Sequence, residues 1–252
     1  MKEKYEGFDY TNVYGTDEYN KRIEKYKYVE DEKYFDDEDT ITLPDGFSLH
    51  VTEYIHMEDK IVYAEMTKGE LHKDGKCIYT FRSNDSSHKC YNYFISRSNG
   101  HRYYPFHIDL YGISYIDVDT LEVCHYIPRG EYNQYSEVFG ESFIITDIHY
   151  DPQTNFIAYG GCIWAAPSDT MIGDFSEPLN FDPHLISIHR IIDPDYDECD
   201  DVDFVQWTDK GAELTDDRKR RITIGYDEIR KRLDEIRNIS TNRNASIQRR
   251  TK

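Results

Sequence analysis

The chain has 252 residues, 38% of them hydrophobic and 31% charged, with a formal net charge of −19. That length suits one large all-β domain or two small ones, with enough apolar residues for a core beneath a highly solvated exterior. So negative a chain repels nucleic acid and anionic membrane, and no run of about 18 apolar residues stands ready to enter a bilayer.

The charge is unevenly placed. Residues 218–252 hold 12 Lys/Arg and 4 Asp/Glu, a local +8, whereas residues 1–217 hold 18 basic and 45 acidic side chains, a net −27. Such a body is kept in solution by its charge and steers basic partners toward itself. Cys77, Cys90, Cys124, Cys162 and Cys199 are odd in number and without CxxC spacing. Three of them (Cys77, Cys124, Cys162) sit in apolar runs, as small core residues would. This pattern fits a reducing compartment and neither a disulfide framework nor a zinc site. The first residues, MKEKYEGFDYTNVYG, lack the apolar stretch of a signal peptide. The expectation is a cytoplasmic protein without cofactor.

Residues 1–39 form a charged, Tyr-rich lead that closes on Asp36-Asp37-Glu38-Asp39. Glu18–Phe35 is compatible with a helix, although its Tyr spacing is irregular. The lead is expected either to be disordered in part or to lie across the following domain. From residue 40 to 225 short apolar runs alternate with turns, the pattern of an all-β, mainly antiparallel domain. Strands are expected at Phe47–Tyr54, Ile61–Thr67, Lys76–Arg82, Tyr91–Arg97, Arg102–Leu110, Ile113–Val118, Leu121–Ile127, Ser142–Tyr150, Phe156–Trp164, Leu185–Ile191, Phe204–Trp207 and Arg221–Ile224. The 23 Tyr support sheet, since the ring packs on a pleated surface while the hydroxyl stays wet. Tight reversals are expected at Asp45-Gly46, Asp74-Gly75, Asn99-Gly100, Asp117-Val-Asp-Thr and Asp151-Pro-Gln-Thr. A two-residue loop at Asn99-Gly100 would set Arg97 opposite Arg102, and the two like charges would splay into solvent.

A recurrence runs through the middle. Ile113-Ser-Tyr-Ile-Asp-Val-Asp-Thr-Leu-Glu-Val and Ile145-Thr-Asp-Ile-His-Tyr-Asp-Pro-Gln-Thr-Asn-Phe-Ile-Ala-Tyr-Gly both read strand, Asp-containing turn, strand. The run Ile145–Trp164 resembles a β-propeller blade, with Leu43-Pro-Asp-Gly-Phe-Ser-Leu a fainter echo, although the Gly-His and Trp-Asp dipeptides of the WD40 repeat are missing. The resemblance implies four or five blades, and a β-sandwich built from the same hairpins is the alternative. The region Arg102–Trp207 is also similar to a group of uncharacterised bacterial proteins. Tyr104-Pro-Phe-His-Ile-Asp-Leu-Tyr-Gly-Ile-Ser-Tyr and His149-Tyr-Asp-Pro-Gln-Thr-Asn-Phe-Ile-Ala-Tyr-Gly-Gly-Cys carry that likeness, which implies no function. Residues 226–239 read as a helix, with Ile229, Leu233 and Ile236 on one stripe that caps the sheet. Asp227 with Lys231 and Glu228 with Arg232 are spaced to pair along it. Residues 240–252 read as a basic, disordered tail.

Two constellations hold chemistry-bearing side chains. Asp147, His149 and Asp151 alternate along one strand and so share a face, and His107 and Asp109 repeat the pairing elsewhere. A His beside carboxylates is suited to general-base work or to a divalent ion, but the same residues equally pin turns. Asp193, Asp195 and Asp197 resemble the start of a calcium loop, yet Glu198 replaces the turn glycine and Phe204 the bidentate Glu, which favours a solvated acidic loop. Cys162 follows two glycines with no basic neighbour to activate it. No GxSxG, phosphate-binding Gly loop or HExxH is present. The expectation is a non-enzymatic binding module for a basic protein. The alternatives are a hydrolase or carbohydrate-active enzyme using the His/Asp residues, and an inhibitor that mimics nucleic acid.

Overall fold

A computed structural model of the chain describes residues 9–84, 90–130, 142–163, 166–180, 184–193 and 201–237. The chain divides into two compact units, Met1–Ser142 with Pro178–Asn180, and Phe143–Glu177 with Phe181–Lys252. Antiparallel sheets dominate both, with few helices.

In the first unit β1 (Asp9–Asn12) and α1 (Asp17–Glu24) lead through two 3-10 turns, Lys27–Val29 and Glu32–Tyr34, into the sheets. Strands β2 (Phe35–Thr42), β3 (Phe47–Glu58), β4 (Ile61–Lys73) and β5 (Lys76–Ser83) form one four-stranded meander. A second consists of β6 (Ile95–Ser96), β7 (Arg102–Phe106), β8 (Ile113–Asp117) and β9 (Val123–Tyr126), and β10 (Pro128–Gly130) returns to pair with β1. In the second unit β11 (Phe143–Tyr150), β12 (Phe156–Ile163), β13 (Ser168–Asp174) and β14 (Ile186–Ser187) make another four-stranded meander. After α2 (His189–Ile192) come β15 (Val202–Thr208), β16 (Gly211–Asp216) and β17 (Arg221–Gly225), a three-stranded sheet, and then α3 over residues 226–237.

Helix α1 starts where Thr16 Oγ1 accepts from the Tyr19 N–H at 3.2 Å, with Asp17 and Glu18 in the first turn. It is shorter than the span Glu18–Phe35, because the irregular apolar spacing buries only Tyr19 along it. The 3-10 turn that follows instead drops Val29 against Ala64 and Met66. Strand β2 was not expected. Its sequence, FDDEDTIT, has no apolar alternation because the strand lies at a sheet edge with nearly every residue exposed. The Asp37 and Asp39 carboxylates accept from the Glu38 and Thr40 N–H groups, at 2.8 and 2.7 Å. An edge whose amides are occupied by its own carboxylates resists pairing with another chain.

The recurrence seen in the sequence is a recurrence of hairpin geometry. The Leu121 N–H donates to the Asp117 carbonyl (2.7 Å) and the Asn155 N–H to the Asp151 carbonyl (3.0 Å), while the N–H groups of Asp117 and Asp151 donate to Glu122 and Phe156. Leu121 and Asn155 take the same left-handed conformation, φ 65° and 60°. In each loop the buried Asp side chain ties the turn: Asp117 accepts from the N–H groups of Asp119 and Thr120, and Asp151 from the Gln153 N–H and the Thr154 hydroxyl. Asp74-Gly75 makes the expected two-residue turn between Lys73 and Lys76. Asn99-Gly100 does not. The loop has three residues, with the Arg97 N–H donating to the His101 carbonyl, and Arg102 stands opposite Ser96. Arg102 ion-pairs with Asp119 and Asp45.

Leu185–Ile191 is a strand only over Ile186–Ser187. Ser187 Oγ then accepts from the Arg190 N–H at 3.2 Å and turns the chain into α2. Cys77 is exposed on β5 rather than in the core. In the second unit Ile229 and Leu233 of α3 are buried with Phe156, Ile172, Val202 and Leu214, so the stripe of α3 does cover sheet residues. Arg232 pairs with Glu228 at 2.7 Å, but Asp227 pairs with Arg230 rather than Lys231.

Candidate functional site

The candidate catalytic residues fall in different units. His107 and Asp109 follow β7 in the first, and Asp147, His149 and Asp151 lie on or just after β11 in the second. His107 is buried, with Nδ1 3.0 Å from the Gly112 carbonyl and Nε2 2.9 Å from the Tyr91 hydroxyl. The carbonyl can only accept, so Nδ1 carries the proton and Nε2 accepts from Tyr91. Asp109 is buried and ion-paired with Arg22 of α1, which fastens the N-terminal helix to the loop after β7. Burial draws the Arg22 guanidinium pKa down.

Along β11 the strand register slips between Ile145 and Asp147. Asp147 is exposed, the His149 ring stacks on Phe204 at 4.6 Å, and the Asp151 carboxylate turns into its own hairpin. The His149 carbonyl accepts from the Trp207 indole N–H at 3.0 Å, joining β11 to β15. Of the acidic-loop candidates, Asp193 is buried at the end of α2, while Asp195 and Asp197 lie outside the described residues. Among the described residues no group of three or more His, Cys, Asp or Glu is placed to hold a metal ion.

His125 on β9 shows how a histidine serves the core. Its Nδ1 lies 2.9 Å from the Ser114 hydroxyl and its ring is 4.3 Å from that of Tyr14. Burial pushes its pKa from 6.5 down to about 4. Between those two values the unfolded chain binds a proton that the folded chain refuses, so stability falls as pH drops from about 6.5 toward 4. His125 should contribute a loss of about 2 kcal/mol between pH 7.5 and pH 5. Urea unfolding of His125→Gln at both pH values should show that much less acid sensitivity than the parent; identical losses would contradict the assignment.

The unexpected feature is the end of the β3–β4 hairpin. β2 pairs with β3 no further than Tyr54, and β5 with β4 no further than Thr67, so residues 55–66 continue as a two-stranded extension. Asp59 and Lys60 close it in left-handed conformation (φ 49° and 67°), the geometry of a two-residue hairpin turn. One face of the extension rests on the 3-10 turns, where Val29, Tyr26 and Tyr34 meet Ala64 and Met66. Elsewhere it is uncovered: Met57, Ile61, Val62 and Tyr63 are 50–58% exposed. Tyr63 is the extra residue of a bulge, since Met57 faces Val62 and His56 faces Ala64.

The His56 ring organises the aromatic flank. It lies 4.6 Å from Tyr34 and 5.4 Å from Tyr63, accepts or donates at Nδ1 with the Tyr28 hydroxyl (2.8 Å), and reaches Glu58 through Nε2 (3.3 Å). Back along β3 from this tip runs the acidic edge of β2, where Asp37, Glu38 and Asp39 stand opposite Glu53, Thr52 and Val51. Glu53, opposite Asp37, has its pKa raised by burial and then by the charges of Asp37, Asp36 and Glu65, and Cys90 is pushed up to about 12 by burial and by Glu53 and Asp39. The field of the acidic row is therefore felt by its neighbours.

A sequence signal for the tip existed. Ile61-Val62-Tyr63-Ala64 is four apolar residues in succession, and a strand with one solvated face cannot bury all four. His56 and Tyr28 carried no such signal, because the bulge and the 3-10 turn that bring them together are tertiary features.

These elements define an antiparallel all-β chain that presents an apolar, aromatic-flanked hairpin beside a row of carboxylates. Neither a family model nor a curated protein matches the chain. Among solved structures it is similar to MPT-1, a GDP-Man-dependent mannosyltransferase from Leishmania mexicana, at 13% identity over 76% of this chain and 68% of that one. The TM-score is 0.32, too low to bear on the site. Among the described residues no helix is long and apolar enough to cross a membrane.

Proposed function

We propose that this chain is a non-enzymatic protein-binding module whose β3–β4 tip and β2 edge receive a basic, amphipathic segment of a partner protein. The observation that carries the reading is the concentration of exposed apolar side chains at one place: Met57, Ile61, Val62, Tyr63, Phe35 and Tyr28 are most of the large hydrophobics exposed among the described residues. Clustered apolar exposure marks an interaction site where scattered exposure does not. The carboxylates of Asp36, Asp37, Glu38 and Asp39 on the β2 edge select a positive partner. Apolar contact then supplies affinity and the acidic row supplies steering.

Three four-stranded meanders with strands in chain order support a propeller-like reading of the fold, since a propeller blade has that form. The four described cysteines are free, which supports placement in the reducing cytoplasm.

The test is titration of the purified chain with a fluorescein-labelled, lysine-rich amphipathic peptide. Affinity should fall at least tenfold between about 50 and 500 mM salt as the carboxylate row is screened. Binding that ignores salt, or none at either concentration, would overturn the reading.

A further inference from the structure

We propose that the aromatic flank of the hairpin tip is a recognition site for an alkylated ammonium group, the class to which a trimethyl-lysine side chain belongs. The inference rests on the basic-partner reading and names the side-chain chemistry that the partner presents there. Four rings form the site, all in the first unit, brought together by the bulge at Tyr63 and the two 3-10 turns. Tyr34 and Tyr63 lie tilted against the His56 ring, at 39° and 30°. Tyr28 stands across them, at 81° to Tyr34 and 88° to His56. The ring faces therefore look in two directions nearly at right angles, and Tyr28 and Tyr63 are 48% and 55% exposed.

The polar atoms hold this arrangement in place. The Glu58 carboxylate can only accept, so His56 Nε2 carries the proton and Nδ1 accepts from the Tyr28 hydroxyl. Glu58 stays 67% exposed at the rim, a negative charge next to the rings. The flank already attracts one cation, since Lys33 Nζ lies 4.5 Å from the centre of the Tyr34 ring. An ammonium over a ring face is drawn by the ring's quadrupole. Tyr34 is thus engaged by Lys33 and by His56, which leaves the exposed rings of Tyr28 and Tyr63 for a cation from outside. Ring faces offer no strong hydrogen-bond acceptor, so a bare ammonium pressed against them gives up water that nothing replaces. Lys33 avoids that loss by remaining exposed. A trimethylated ammonium has no N–H to satisfy, and its methyl groups add apolar contact with the rings.

The experiment uses the full-length chain and two fluorescein-labelled, lysine-rich amphipathic peptides that differ only in trimethylation of every lysine. Trimethylation keeps the charge, so the carboxylate row steers both peptides alike. The trimethylated peptide should bind the parent at least about threefold more tightly. Tyr28→Leu with Tyr63→Leu should erase that preference while the circular dichroism stays unchanged, whereas Tyr63→Phe, which keeps the ring face, should retain it. A measurement on the parent alone needs no variant: tetramethylammonium chloride should displace the trimethylated peptide more strongly than sodium chloride at the same concentration. Equal affinity for the two peptides, a preference that survives both leucines or is lost with phenylalanine, or equal displacement by the two salts would overturn the inference. If the peptides bind equally and in a salt-sensitive way, the basic-partner reading stands and the ammonium site fails; if neither peptide binds, both fail.

Discussion

Replacing Asp109 by alanine is expected to destabilise the chain by about 3 kcal/mol, because it removes the carboxylate that pairs with the largely buried Arg22 guanidinium. The Asp109 side chain is 2% exposed and that of Arg22 18%, and the guanidinium lies 5.4 Å above the Tyr19 ring. An arginine stays charged even where burial lowers its pKa, so it cannot escape by losing a proton. The residual exposure of Arg22 keeps the expected cost at the lower end for a broken buried pair. The control is the double variant Arg22→Met with Asp109→Leu, which removes both charges and should return to within about 1 kcal/mol of the parent. Equilibrium urea unfolding of the three proteins measures both quantities. A single variant as stable as the parent would mean that Asp109 does not anchor α1, and it would return this residue to the list of groups held ready for chemistry.

The second large effect is on binding rather than folding. Met57→Ser, Ile61→Ser and Val62→Ser together should weaken the lysine-rich peptide by roughly 30- to 150-fold, from about 2–3 kcal/mol of apolar burial forgone across three half-exposed side chains. Thermal stability should hardly change, since none of the three is buried in the folded chain. The complementary variant, Asp37→Asn with Glu38→Gln and Asp39→Asn, should lose most of the salt dependence while keeping apolar affinity. Together the pair separates attraction by charge from attraction by oily contact. Serine variants that bind like the parent would place the interface elsewhere.

Much of the architecture was legible in the residues. The hairpins at Asp117 and Asp151 could be read because their chemistry is local: a carboxylate accepts from amides two and three residues ahead, and a left-handed residue closes the loop. The stripe of α3 was legible for the same reason, since helical spacing puts Ile229, Leu233 and Ile236 on one side whatever they meet. Strands β2 and β16 were not, because β2 is an exposed edge strand full of carboxylates and β16, although buried at alternate positions, fills them with only Ala212, Leu214 and a buried Asp216.

Sequence alone therefore dictated the class: alternating apolar runs broken by Asx and Gly turns commit this chain to antiparallel sheet, and its composition commits it to a negative exterior. Tertiary structure alone decided which polar residues are spent on the fold and which face outward. His107 meets the Tyr91 hydroxyl and Asp109 the Arg22 guanidinium, partners 16 and 87 residues away in sequence, and a bulge at Tyr63 with a 3-10 turn at Val29 leaves one hairpin end uncovered. The physical reason is range. Turn and strand preferences act over a few residues, whereas burial depends on segments that fold against one another from far along the chain.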